Sequence, residues 1–156
     1  MSILPAWTCV SLSVLLTLSA HACVEEAASR YGVPAVMLRA IAQQESSNNA
    51  RAWHLNADGT VDIGLMQINS RWIPRLRTHG IQAQDLWDPC VSYMVGAWLL
   101  SDSFIRKGYN LQGLGAYHSP DPDRQRRYAR EVLSKMQSIR QSQGTAGRSL
   151  TPAEGP

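Results

Sequence analysis

The spacing of apolar positions changes several times along the chain, and each change marks an element. Met1 to Ala22 is uncharged, and its apolar stretch from Val10 to Leu18 is nearly continuous rather than periodic. Val24 to Tyr31 has a helical composition and stops at Gly32, a residue suited to the left-handed position just past a helix end. Pro34 suits the first turn of a second helix, AVMLRAIAQQES. In that helix Leu38, Ile41 and Glu45 stand at offsets 0, 3 and 7 and share one face. Ser47 to Thr60 is polar and predicts a loop, with a tight turn at Ala57-Asp58-Gly59-Thr60. Val61-Asp62-Ile63 predicts a short strand before Gly64, and Leu65 to Leu76 predicts helix in pieces, interrupted at Pro74.

Asp88-Pro89 is a strong helix start, with Asp at the N-cap and Pro at the first helical position. The helix it opens, Cys90 to Lys107, is apolar on all sides, which predicts a central buried element, and Gly96 within it predicts a close helix contact. Asn110 caps a short helix expected to run through Tyr117, and Pro120 and Pro122 break the chain. Arg124 to Arg140 forms a last, basic helix whose apolar stripe is Tyr128, Val132, Leu133 and Met136. The remainder is rich in Gly, Ser, Thr and Pro, so residues 140–156 are expected to be a disordered tail behind one mainly helical domain over 23–139.

The first 22 residues read as a secretory signal peptide, with Ala20-His21-Ala22 as the cleavage signal; a buried N-terminal helix is the alternative. Cleavage there removes Cys9 and leaves Cys23 first, so Cys23 and Cys90 remain as a pair in an oxidising compartment, the periplasm. One disulfide is expected; acylation of Cys23 competes with it, but Ala-His-Ala is a poor lipidation signal and would leave Cys90 single. No run of 18 or more apolar residues exists to span a membrane, and no repeat of solenoid length recurs.

The net charge is +3, and 13 of the 15 basic residues are Arg. That balance favours anionic polymers, cell wall and nucleic acid alike. Arg124, Arg126, Arg127, Arg130, Lys135 and Arg140 crowd the last helix as a nucleic-acid binder's would, yet such a run is usually a solvated face, and a secreted chain argues against that partner. His54, His79 and His118 lack helical i, i+4 pairing and any H-E-x-x-H pattern, so no metal site is expected.

Glu45 is the most informative residue. A carboxyl on the apolar face of a helix is desolvated, which favours its protonated form, the form a general acid needs. A salt-bridged glutamate at a helix end is the plainer reading. Gln44-Glu45-Ser46, then Asp62-Ile63-Gly64-Leu65-Met66-Gln67-Ile68-Asn69, then Gly115-Ala116-Tyr117, decide between them. Together they resemble the lytic transglycosylases of the lysozyme-like superfamily, above all the small secreted members that accompany type III secretion, type IV pili and conjugation machines. The resemblance runs from Cys23 to about Met136, and the Asp-Pro-Cys around Cys90 is similar to that subgroup as well.

The resemblance implies a mainly α, lysozyme-like α+β domain, with a short β-hairpin or loop between the helix of Glu45 and the G-L-M-Q-I-N segment. It implies cleavage of peptidoglycan between N-acetylmuramic acid and N-acetylglucosamine. Glu45 would protonate the glycosidic oxygen, then help the muramyl C6 hydroxyl attack C1, leaving a 1,6-anhydromuramyl end. Substrate would meet Ser46, Met66, Gln67, Asn69, Tyr117 and His118; Gln67 would hold sugar, Met66 would form an apolar wall, and the Tyr117 hydroxyl would lie near the acid with Glu45 as a candidate partner. His118 stands where the family has Asn, and Ser119-Pro120 where it has Ala-Gly. Asp62 resembles the partner carboxylate of animal-type lysozymes, able to stabilise an oxocarbenium-like transition state or to run the site as a hydrolase; an aspartate bonded to nearby backbone amides is the structural alternative. No cofactor is implied. The expected partners are glycan strands and the components of an envelope machine, not nucleic acid, and the protein is expected to be a monomer. A cell-wall-binding adaptor is the non-enzyme alternative.

Overall fold

The computed structural model describes residues 22–148. The leader expected over 1–22 lies outside them except for Ala22, as does the last part of the expected tail, 149–156. The architecture is mainly helical with one small antiparallel sheet, the α+β arrangement of a lysozyme-like domain. Among the described residues, no helix is long and apolar enough to cross a membrane.

The first helix, α1, covers residues 22–31, and Gly32 follows it at φ +64°. Helix α2, Ala35–Ser46, starts after Pro34 in extended conformation. It stops because Ser47 and Asn48 both turn left-handed, at φ 53° and 63°. Their N–H groups donate to the carbonyls of Gln43 and Ala42, closing the helix end with a Schellman-type pair. Glu45 therefore sits in the last turn before this closed end.

The chain then forms β1 (Trp53–Leu55), β2 (Val61–Ile63) and β3 (Ile68–Asn69), antiparallel in that order. The β1–β2 turn closes through Asn56 and Thr60, and Gly59 supplies φ +80°. β1 occupies what the sequence predicted as loop. All three of its side chains are exposed, Trp53 by 64%, so no alternation betrays it. After a 3₁₀ turn at Ser70–Trp72, Pro74 lies in the first turn of α3 (Ile73–Arg77), where it starts a helix rather than interrupting one.

Helix α4, Pro89–Lys107, is capped as expected: Asp88 Oδ1 accepts from the N–H groups of Cys90 (2.7 Å) and Val91 (3.1 Å). It runs through the core and ends at Gly108. The nearest neighbour of its Gly96 is not a helix residue. A Cβ there would lie 2.7 Å from Met66 Cε, so the close approach is to the G-L-M-Q-I-N segment. Asn110 caps α5, Leu111–Ala116.

Helix α6, Pro122–Arg148, packs along α5 and α2. Tyr128, Ala129, Val132 and Met136 are its buried stripe; Leu133, expected there, is 36% exposed, because it lies one residue round from Val132. The basic residues Arg124, Arg126, Arg127, Arg130 and Arg140 of this docked helix are all exposed. The helix also corrects the expected disordered tail, since it continues to Arg148. Once 122–139 is docked, each added residue costs no new nucleation.

Cys23 and Cys90 form a disulfide, Cα–Cα 5.0 Å, tying α1 to the first turn of α4. With the two cysteines 67 positions apart, the chain-entropy account assigns the bond about 4 kcal/mol. Replacing both with Ala is expected to lower the denaturation midpoint by that order while the far-ultraviolet spectrum is retained. Two free thiols in the intact mass of the purified protein would contradict the pairing.

Candidate active site

Three helices and the sheet meet on the backbone of Leu65 and Met66. Ser46 Oγ, from the end of α2, donates to Leu65 O at 2.8 Å and to Ala42 O at 3.0 Å. Tyr117, just past α5, donates its hydroxyl to Met66 O at 2.9 Å. Ser92 of α4, fully buried, accepts the Met66 N–H at 3.0 Å. Gln67 takes φ 48°, and its Nε2 donates to Gly64 O (2.8 Å) and Ala52 O (3.1 Å). The expected sugar-facing roles change accordingly. Met66 is fully buried under Gly96, so it belongs to the core beneath the site and not to a cleft wall. The Gln67 amide is spent on backbone carbonyls. Tyr117 donates to the Met66 carbonyl rather than to Glu45.

Glu45 stands beside this junction. Its side chain is only 12% exposed, and Oε1 is buried with no hydrogen-bond partner among the described residues. The nearest cation-forming group is His118 Nδ1, at 3.8 Å. The His118 ring lies flat on Tyr128, centroids 4.6 Å apart and planes within 1°. Tyr128 is 3% exposed, and its hydroxyl too is buried without a partner. The Tyr117 ring centroid lies 6.5 Å from that of Tyr128, with the planes 23° apart. Burial first, and then the Glu45 charge, push the Tyr128 hydroxyl well above the ordinary tyrosine range. Tyr117 is raised by burial, by Glu45 and by Asp62. The contact with Glu45 raises His118, with burial and Arg124 opposing and Asp62 adding to it. One imidazole and one phenol thus feel both carboxylates.

Asp62 lies on the central strand, paired across to His54 on one side and Asn69 on the other. Asn69 Nδ2 donates to its Oδ1 at 2.7 Å, and Asn56 Nδ2 to its Oδ2 at 3.0 Å. Both asparagines also donate to Thr60 Oγ1, while Asn69 Oδ1 accepts from Arg71. Side-chain amides, not backbone amides, therefore hold this aspartate, and Asn69 acts as its clamp.

A cleft of about 400 Å³ opens between the end of α2, the α5–α6 turn and α6, lined by Gln44, His118, Arg124, Arg127, Tyr128 and Glu131. Gln44 donates to Glu131 at 2.8 Å across it. Among the described residues, no cluster of three or more His, Cys, Asp or Glu could hold a metal ion. Sequence reasoning missed Asn56, Ser92 and Tyr128. Only Tyr128 carried a signal: an aromatic with a polar handle on a stripe that buries it needs a partner for that handle.

A family model described as "Transglycosylase SLT domain" matches residues 22–138. "Invasion protein IagB" of Salmonella typhimurium strain SL1344 is 40% identical over 123 residues, covering 76% of this chain and 77% of the relative. "Protein IpgF" of Shigella flexneri is 36% identical over 118 residues, 72% of this chain and 78% of its own. "Peptidoglycan-binding-like protein" of Escherichia coli O157:H7 is 34% identical over 123 residues, 72% and 74%.

Proposed function

Because the chain belongs to the transglycosylase SLT domain family and is thereby a lytic transglycosylase of peptidoglycan, we propose that it cleaves the β-1,4 bond between N-acetylmuramic acid and N-acetylglucosamine and leaves 1,6-anhydromuramyl ends. Glu45 is the acid and then the base. Its carboxyl gives a proton to the glycosidic oxygen as the C1–O bond breaks. The resulting carboxylate takes the proton of the C6 hydroxyl as that oxygen bonds to C1, so no water is consumed. The observation that carries this reading is the buried Glu45 Oε1, without a hydrogen-bond partner among the described residues and 3.8 Å from His118, which lines the cleft. A carboxyl oxygen with no hydrogen bond tying it down within the fold is available to exchange a proton with substrate.

Asp62 supplies a fixed negative charge facing the positive charge that develops at C1. Two amide clamps suit a charge held still better than a nucleophile that must swing to an anomeric carbon. The lysozyme-type reading, in which Asp62 attacks or activates water, keeps one point in its favour: both carboxylates act on Tyr117. Products separate the two. Asp62→Asn is expected to slow murein digestion about 10²-fold and to leave the products anhydromuramyl by mass spectrometry. Reducing muramic ends, heavier by one water, as the main product of the wild type would favour the hydrolase. Product identity decides even where the new amide, set against Asn69 and Asn56, loosens the sheet.

The proposed setting is the periplasm, after removal of residues 1–22, and the proposed task is local opening of the wall for a secretion, pilus or conjugation apparatus. The names "Invasion protein" and "Peptidoglycan-binding-like protein" carried by relatives support it.

A further inference from the structure

Among the described residues, Glu45 Oε1 has no hydrogen-bond partner, and the basic group within ion-pair distance of it is an imidazole stacked on a buried tyrosine. We propose that His118 is a positioning residue for the catalytic proton: its Nδ1 and Glu45 Oε1 share one proton, so the pair stays loaded up to the pH at which a histidine, not a carboxyl, deprotonates. This rests on Glu45 being the acid.

Three features make the pair work as a unit. The 3.8 Å separation is ion-pair contact, longer than a hydrogen bond, and such contacts tighten when substrate excludes water. Stacking on Tyr128 fixes the imidazole plane and favours a cationic ring. The ring is 45% exposed, so solvent can refill the pair from its outer side. The groups around His118 are Glu45 on α2, Asp62 on β2, its neighbour Tyr117, and Arg124, Arg127, Tyr128 and Glu131 on α6. Glu131 is engaged by Gln44, and burial keeps both tyrosines neutral. Arg124 opposes protonation of the imidazole, and the two carboxylates outweigh it.

The proton balance closes. Imidazolium Nδ1–H passes its proton to the Glu45 carboxylate, giving neutral imidazole and carboxyl. The carboxyl passes it to the glycosidic oxygen as C1–O breaks. The C6 hydroxyl proton then returns to Glu45 and, from there, to Nδ1. Without the imidazole only the carboxyl is left to hold the proton. The alkaline limb of kcat/KM should therefore move to lower pH.

The test measures kcat/KM on murein against pH for the wild type and His118→Asn, together with the NMR titration of His118 in the wild type and in Glu45→Gln. Whatever its activity at acid pH, His118→Asn is expected to lose a further factor of about ten or more relative to the wild type between acid and neutral pH, in proportion to the pH beyond its limb. His118 is expected to titrate above the ordinary histidine value and to drop toward it when Glu45 is an amide. Superimposable pH profiles, a loss equal at every pH, or an unchanged His118 titration in Glu45→Gln would each overturn the proposal. Full murein cleavage by Glu45→Gln would instead remove the assignment of the acid, while the NMR arm still reports whether the two groups share a proton.

Discussion

A folded Glu45→Gln protein is expected to lose murein cleavage by at least about 10²–10⁴-fold. The amide keeps the shape of the side chain and its place in the last turn of α2, and it has no acidic proton to give. The exchange forfeits the ion-pair contact of Oε1 with His118, a single partly exposed contact, so only a modest loss of stability is expected. The check is clearing of a purified cell-wall suspension, with a denaturation curve to confirm the fold. Wild-type clearing by the folded variant would falsify the assignment of Glu45.

The largest structural effect is expected at Gly64. It takes φ +77°, and a Cβ there would stand 2.1 Å from the backbone oxygen of Leu86. That oxygen belongs to the 3₁₀ segment Ala83–Trp87, and the Leu86 side chain is fully buried, so the obstacle cannot swing aside as a flexible side chain would. Gly64→Ala should cost about 3–5 kcal/mol, combining left-handed backbone with overpacking. Gly59→Ala is the control: its φ is +80° with nothing within 4 Å, so only the backbone cost of about 1 kcal/mol applies. Urea denaturation of both variants separates the contributions, and equal losses would show that the contact with Leu86 does not matter.

Helix α2 was readable from the spacing of Leu38, Ile41 and Glu45, and α4 from Asp88-Pro89, because periodicity and capping are local. The site was readable as a set of segments but not as a set of roles. Met66 and Gln67 stand beside each other in one motif, yet one fills the core and the other serves two backbone carbonyls, and no local spacing distinguishes these from cleft positions. The Tyr117 hydroxyl finds its acceptor 51 residues away, a choice only the packed fold makes. β1 was hidden for the opposite reason: with every side chain exposed, the strand is specified by its pairing with Val61–Ile63 and not by its own pattern. Leu133 shows the limit of a stripe drawn by hydropathy alone, since the docking angle of α6 selected Ala129 in its place.

The hydrogen bonds from Ser46, Ser92 and Tyr117 to the Leu65–Met66 backbone bear on transplantation. They bind three stretches that look separate along the chain into one mechanical joint, and the acid rides on it. Anyone moving this chemistry onto another helical frame would have to carry the joint with the acid. A glutamate placed at the end of a foreign helix would keep its carboxyl and lose its aim. The small residues at 64 and 96 belong to the same graft, because they make the room in which the joint closes.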